Sequence, residues 1–318
     1  MSAFLPTAVL LLAIVGAQQT AVSVGDFRTA DQITKVKVLS DIATARANVA
    51  IDQVIALARA GLHDSSAEVR MSALGAVMGR TMAARWAGTS GPGMGPTPVP
   101  RPEQRVIPAQ WKGDQDVLRD ALEDDCLALV KSDPDDRVRY QAFLAVGNLE
   151  RPMQPEGPLS ERIVAVFVDL YRRDSSSRIR AEIVKTFRLV PNNVPEMRAV
   201  LRDALVDANA SIRHEGLTAI TPQATPGLRR LSFDEARDVV VAALRHADPG
   251  VRLGGVQALN VFGLPAAPYI PALERLSEVD PDAQVRASAR LAIEAIQRAL
   301  RGSAEAWNVC ATLFQRAA

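Results

Sequence analysis

Asp133-Pro-Asp-Asp-Arg-Val138-Arg139 is the stretch that decides the fold, because it does not occur once. The same phrase, an Asp, a few polar residues, then Val or Ile followed by Arg, reads Asp64-Ser-Ser-Ala-Glu-Val69-Arg70 and Asp174-Ser-Ser-Ser-Arg-Ile179-Arg180. It returns as Asp207-Ala-Asn-Ala-Ser-Ile212-Arg213 and Asp280-Pro-Asp-Ala-Gln-Val285-Arg286, and in shortened form as Asp248-Pro-Gly-Val251-Arg252. From Arg139 onward the arginines follow one another at 41, 33, 39 and 34 residues. A repeat of that length is one helical hairpin that buries its apolar face only by stacking on its neighbours.

Helical periodicity flanks every copy. Four residues after the Val or Ile stand Ala73, Ala142, Ile183, Gly216, Gly255 and Ala289; eight after it stand Val77, Val146, Phe187, Ile220, Leu259 and Ile293. Steps of four and eight return to one face of a helix, so each second helix carries a buried stripe, mostly with a small residue at the close approach. The first helices are expected at about 40–61, 115–131, 159–173, 195–208, 233–247 and 269–278. Ser232 with Glu235 forms a capping box, and Pro195 suits a first helical turn. The expected fold is all-α: a right-handed α-α superhelix of about six hairpins spanning 40–302.

Between the first two copies the arginines are 69 residues apart, and the excess is a Pro- and Gly-dense insertion at 87–113, flanked by Trp86 and Trp111. Such composition cannot hold a helix and reads as an extended surface excursion. Residues 18–39 form an N-terminal segment that is either a short strand around Lys35–Leu39 or the start of a capping helix. Residues 303–318 read as a separate amphipathic helix that closes the stack.

Residues 1–17 resemble a secretory signal: an apolar run from Phe4 to Gly16, too short to span a bilayer comfortably, then small residues before a cut at Ala17/Gln18. That predicts an exported protein, periplasmic or secreted, with an uncleaved N-terminal membrane anchor as the alternative. The composition is 48% apolar but only 4% aromatic, which favours closely packed helices of Ala, Val, Leu and Ile. A formal charge of +1 argues against a strongly basic nucleic-acid binder. The two cysteines, Cys126 and Cys310, are read as small buried residues on distant helices rather than a disulfide.

With these residues in place, the chain resembles HEAT repeats, in the short form shared with phycobilisome-lyase-like proteins. The resemblance covers about 40–302, best at Asp133–Leu149 and Asp280–Ile296. It implies that Asp64, Asp133, Asp174, Asp207, Asp248 and Asp280 bond with Arg70, Arg139, Arg180, Arg213, Arg252 and Arg286 in a ladder between neighbouring repeats. The physics agrees: an Asp at a turn accepts backbone N–H groups, and a guanidinium reaches across to the next repeat. The fifth copy departs, with Asp248 only four residues before Arg252, which puts its ladder contact in doubt.

Catalytic signatures are missing. His63, His214 and His246 lie in different repeats without metal-binding spacing, and the acidic groups Glu123–Asp125 and Asp133/Asp135/Asp136 read as solvated helix ends. No phosphate loop, nucleophile elbow, haem motif or dinucleotide fingerprint is present, so no cofactor and no metal are expected. An ion pair repeated six times is a structural device, whereas an active site occurs once.

What does not repeat is the exposed side of the second helices, which lines the concave face in this architecture. Met71, Met78, Tyr140, Lys185, Arg188, His214, Gln257 and Asn260 fall there, with Leu144, Thr218, Leu253 and Leu291. A mixed surface of this kind suits a protein or peptide partner better than a nucleic acid, which would need a cation at one offset in most repeats. The expected function is therefore an exported, non-catalytic scaffold binding a protein or peptide. The alternatives are a chromophore-lyase-like enzyme or accessory protein, and a DNA-handling solenoid like the alkylpurine glycosylases.

Overall fold

The computed structural model describes residues 22–44, 49–85, 112–150, 159–190, 194–220 and 231–317, with only the helical backbone beyond 302. The signal-like segment 1–17 and the insertion with Trp86 and Trp111 lie outside the described residues, apart from Lys112 and Gly113. The chain divides into two compact units, Met1–Met153 and Gln154–Ala318.

The first unit holds α1 (Val24–Thr29), α2 (Gln32–Ala43), α3 (Ile51–Leu62), α4 (Ala67–Arg85), α5 (Asp114–Ser132) and α6 (Asp136–Glu150). They pair as three hairpins, with second helix packed on second helix from α2 to α4 to α6. The second unit holds α7 (Glu161–Arg173), α8 (Ser177–Leu189), α9 (Pro195–Leu205), α10 (Ala210–Ile220), α11 (Phe233–Ala243) and α12 (Pro249–Phe262). A 3-10 turn at Leu264–Tyr269 leads into α13 (Ile270–Val279) and α14 (Ala283–Ala317). No described helix is long and apolar enough to cross a membrane.

The buried stripe is where its periodicity puts it. Val69, Ala73 and Val77 in α4, and Val138, Ala142 and Val146 in α6, are all wholly buried. Small residues matter at particular closures: a Cβ on Gly216 would stand 2.6 Å from the Ala204 carbonyl carbon, and one on Gly255 would stand 2.9 Å from the Val240 oxygen. No side chain fits there, so α10 and α12 approach their first helices backbone to backbone.

Two boundaries differ from the sequence reading, and one alternative it left open is decided. The segment 40–61 is not one helix: α2 ends at Ala43 and α3 begins at Ile51. Lys35–Leu39 is helical rather than a strand, because Asp31 caps α2 by accepting the Thr34 N–H at 2.8 Å. Residues 22–43 thus make a further short hairpin ahead of the first recognised copy. At the other end α14 runs unbroken from Ala283 to Ala317, so 303–317 continues the last second helix and is not a separate one. The capping box at Ser232 and Glu235 and the first-turn placement of Pro195 are both present.

Candidate interaction surface

The recurring turn is built the same way in five of its six copies. Asp133 leaves α5 in extended conformation (φ −64°, ψ 133°), and its Oδ1 accepts the Asp135 N–H at 2.9 Å. Asp64, Asp174, Asp207 and Asp280 do the same with the N–H two residues on, at 2.9, 2.8, 2.7 and 2.9 Å. The Arg six residues later then folds back: Arg70, Arg139, Arg213 and Arg286 donate Nη1 to the carbonyl of that same Asp at 2.9, 3.0, 2.8 and 2.6 Å. The turn carbonyls that follow a first helix are satisfied by this arginine.

The guanidinium's other edge reaches the next hairpin. Arg70 grips Asp133 with Nε and Nη2 at 2.7 and 3.0 Å, and Arg252 grips Asp280 at 2.8 Å with each nitrogen. These bidentate pairs are buried, the Asp side chains 2% exposed in both cases. The contact draws the Asp280 carboxyl below the ordinary carboxylate range and raises Arg252. Arg180 meets Asp207 more loosely, at 3.6 Å. Lys35 of α2 gives 2.8 Å to Asp64, so the additional N-terminal hairpin supplies its own rung, with a lysine in the arginine's place.

Asp248 is a correction. It does not receive Arg213; its Oδ1 instead accepts the N–H groups of Gly250 and Val251, at 2.7 and 3.3 Å, and so caps α12. Six residues before Arg252 stands His246. Arg252 Nη1 binds the His246 carbonyl at 2.9 Å, and the Asp248 N–H donates to His246 Nδ1 at 3.1 Å. The imidazole therefore copies the carboxylate's turn bond but offers no negative charge to the preceding repeat. Arg213, only 6% exposed, has no carboxylate within ion-pair distance among the described residues; its Nε donates to Gln257 Oε1 at 3.0 Å. Burial lowers its pKa, with the charges of Asp207 and Asp248 opposing the shift. The sequence held the signal: counting back from each Arg, position six is Asp except at His246, while position four is Ser66, Asp135, Ser176, Asn209, Asp248 or Asp282. All of these residue types cap helices.

The non-repeating face is divided between bonded and exposed side chains. Arg188 pairs with Glu215 at 3.2 Å, Lys185 with Glu182 at 2.9 Å, and Gln141 donates to the Met78 sulfur at 3.4 Å. With Gln257 on Arg213, several of the expected groove residues are thus cross-links inside a unit. Met71, Tyr140, Leu144 and Thr218 are half-buried, His214 and Asn260 are exposed, and Leu291 is 62% exposed. Leu253 is buried and drops out of the surface: α12 lies so close to its neighbours that this position faces packing rather than water.

Several other ionisable groups in the first unit are tied up in packing. Asp125 receives Arg59 at 3.0 Å and stands 3.1 Å from His63 Nε2. Arg80, 3% exposed, binds Asp114 at 2.7 Å, and so joins the helices on either side of the insertion; burial lowers Arg80 while Asp114 opposes the shift. Burial, with Asp125 and Glu123 nearby, pushes the Cys126 thiol up to about 12, so it is inert as a nucleophile. Among the described residues no group of three or more His, Cys, Asp or Glu side chains is arranged to hold a metal.

Comparison with known proteins agrees with this construction. Residues 222–294, the two hairpins that flank the Arg252–Asp280 pair, match the family model of HEAT repeats. A Kap121p mutant crystal structure superposes with a TM-score of 0.54 at 12% identity, over 93% of this chain and 30% of that one. This chain therefore spans less than a third of Kap121p's length, and the likeness establishes the fold alone. A HEAT-like repeats protein from Thermococcus onnurineus NA1 gives 0.42 at 11% identity, covering 87% of this chain and 98% of its own. A designed armadillo repeat protein gives 0.30 at 19%, covering 86% and 98%. No curated protein matches the chain in sequence. The fold is a HEAT-like α-solenoid, a class commonly used as a protein-interaction scaffold.

Proposed function

We propose that this chain is an exported, non-catalytic scaffold that binds a protein or peptide partner along the second-helix face of its hairpins. The observation that carries the reading is a division of labour on those helices. Residues that repeat are bonded into the stack, as Arg70 and Arg252 are, whereas His214, Asn260 and Leu291 do not repeat and stand in solvent. In the first unit Met71, Met78 and Tyr140 offer half-buried apolar and aromatic surface, the mixture that protein interfaces favour. Export rests on the signal-like residues 1–17, and a membrane contact enters only if that segment stays uncleaved.

A photo-crosslinking residue at His214 or Asn260 tests the surface against Asp238 and Glu274, which are exposed on first helices. The proposal expects one defined protein adduct from the second-helix positions and none from the other two. Adducts of equal yield from both faces would remove it. The mature N-terminus, read by mass spectrometry, begins at Gln18 if the chain is exported and cleaved.

A further inference from the structure

The ladder arginine marks the side of each second helix that meets the next hairpin, as Arg70 meets Asp133 and Arg252 meets Asp280. One turn further along that side stand Leu74, Phe143, Val184, Leu217 and Val256. Leu217 is half-buried and the other four are buried. In α14 the same place is taken by Arg290, which is exposed. The side continues through Ile293, Gln297, Leu300 and Arg301, at the spacing of one helical face. Ile293 is only half-buried, whereas its counterparts Val77, Val146, Phe187 and Leu259 are buried, and Leu300 is 39% exposed.

Arg286 shows what this end of the stack lacks. Its Nη1 binds the Asp280 and Pro281 carbonyls at 2.6 and 3.1 Å, as Arg252 Nη1 binds those of His246 and Ala247 at 2.9 and 2.8 Å. In Arg70 and Arg252 the remaining edge, Nε and Nη2, holds a carboxylate of the next hairpin. In Arg286 that edge bonds to no described residue. Arg290 reaches only the Ser277 carbonyl, at 3.3 Å, and Arg301 is exposed and bonds to no described residue. Glu294, the one carboxylate among the described side chains of α14, pairs with none of them. Asp282 is occupied in capping α14, accepting the Gln284 and Val285 N–H groups at 2.8 and 3.0 Å. Any end of a repeat stack needs a polar face, but that need is met by either sign of charge. Three guanidinia without a carboxylate, with Ile293 and Leu300 between them, are the complement of a helix that carries acids beside apolar residues.

We propose that this end of the stack receives an acidic amphipathic helix of a partner protein. One carboxylate closes the open edge of Arg286 as Asp280 closes that of Arg252, others meet Arg290 and Arg301, and apolar side chains cover Ile293 and Leu300. The surface lies on a different side of α14 from Leu291, so it stands or falls separately from the second-helix reading. The test is fluorescence anisotropy on the full chain with a labelled, acetylated and amidated peptide of tandem Glu-Gln-Ala-Leu-Glu-Ala-Leu heptads. Saturable, salt-sensitive binding is expected, lost when Gln replaces Glu or Ser replaces Leu. Arg290→Glu combined with Arg301→Glu weakens it about tenfold, the scale of two exposed ion pairs, whereas Arg28→Glu in the first unit leaves it unchanged. Arg286→Lys, which keeps the charge but loses the fork, weakens it more than Arg301→Lys does. No saturation, equal weakening by Arg28→Glu, or equal affinity for phosphatidylserine vesicles or a single-stranded oligonucleotide would each overturn the proposal. A dimer of the chain that Arg290→Glu dissolves would overturn it too, by making the occupant a second copy.

Discussion

The two sides of α12 make the same kind of joint in opposite ways. Toward the last hairpin, Arg252 meets Asp280 through two 2.8 Å bonds, and the guanidinium is held more firmly charged. Toward the preceding hairpin, Arg213 is just as buried but finds an amide oxygen, because the carboxylate's place is held by His246. What closes this second joint is backbone proximity: a Cβ on Gly254 would stand 2.8 Å from both the Arg213 Cδ and the Leu205 oxygen. One joint is thus electrostatic and the other steric. A repeat stack can lose a rung where its helices approach without side chains.

The comparison can be broken at several points. Asp280→Ala should have the largest effect, about 3 kcal/mol lost in urea unfolding, since it strands a buried guanidinium. Gly254→Ala should cost about 2 kcal/mol, as overpacked cores do, by forcing α12 off its neighbours. Asp248→Ala should cost only about 1 kcal/mol, the value of a helix cap, and a loss as large as that of Asp280→Ala would restore Asp248 to the ladder. His246→Asp should gain about 1 kcal/mol by giving Arg213 a charged acceptor; no gain would mean that Gln257 already satisfies it.

Acid sharpens the same contrast with the smallest shift. Because Arg252 holds Asp280 below the ordinary value of 3.8, its contribution is complete above about pH 4 and fades as the pH falls toward the lowered folded value. His246→Asp should add a second contribution of this kind, so its gain should shrink below pH 4 in the same unfolding assay.

The hairpins and the stack were legible because period and bonding are local facts. Each Asp binds a backbone N–H two residues on, and Arg70, Arg139, Arg213, Arg252 and Arg286 each bind a carbonyl six residues back, so the phrase builds its turn without help from elsewhere. The extra hairpin at 22–43 was harder to see, since Thr34 and Lys35 replace the Val-Arg pair. His246 escaped because the eye follows Asp, while the geometry counts from Arg. The interaction surface was only partly readable: helical spacing placed Gln257 and Arg188 on the second-helix face but could not show that each bonds the neighbouring hairpin.

Sequence alone determined that this protein is a stack of helical hairpins, because apolar periodicity and turn chemistry act within a few residues. Only the tertiary structure decided which rungs carry charge, that Leu253 is buried, and that Arg286, unlike Arg252, meets no carboxylate among the described residues. Those outcomes depend on distances between hairpins 27 to 63 residues apart, which no local pattern encodes.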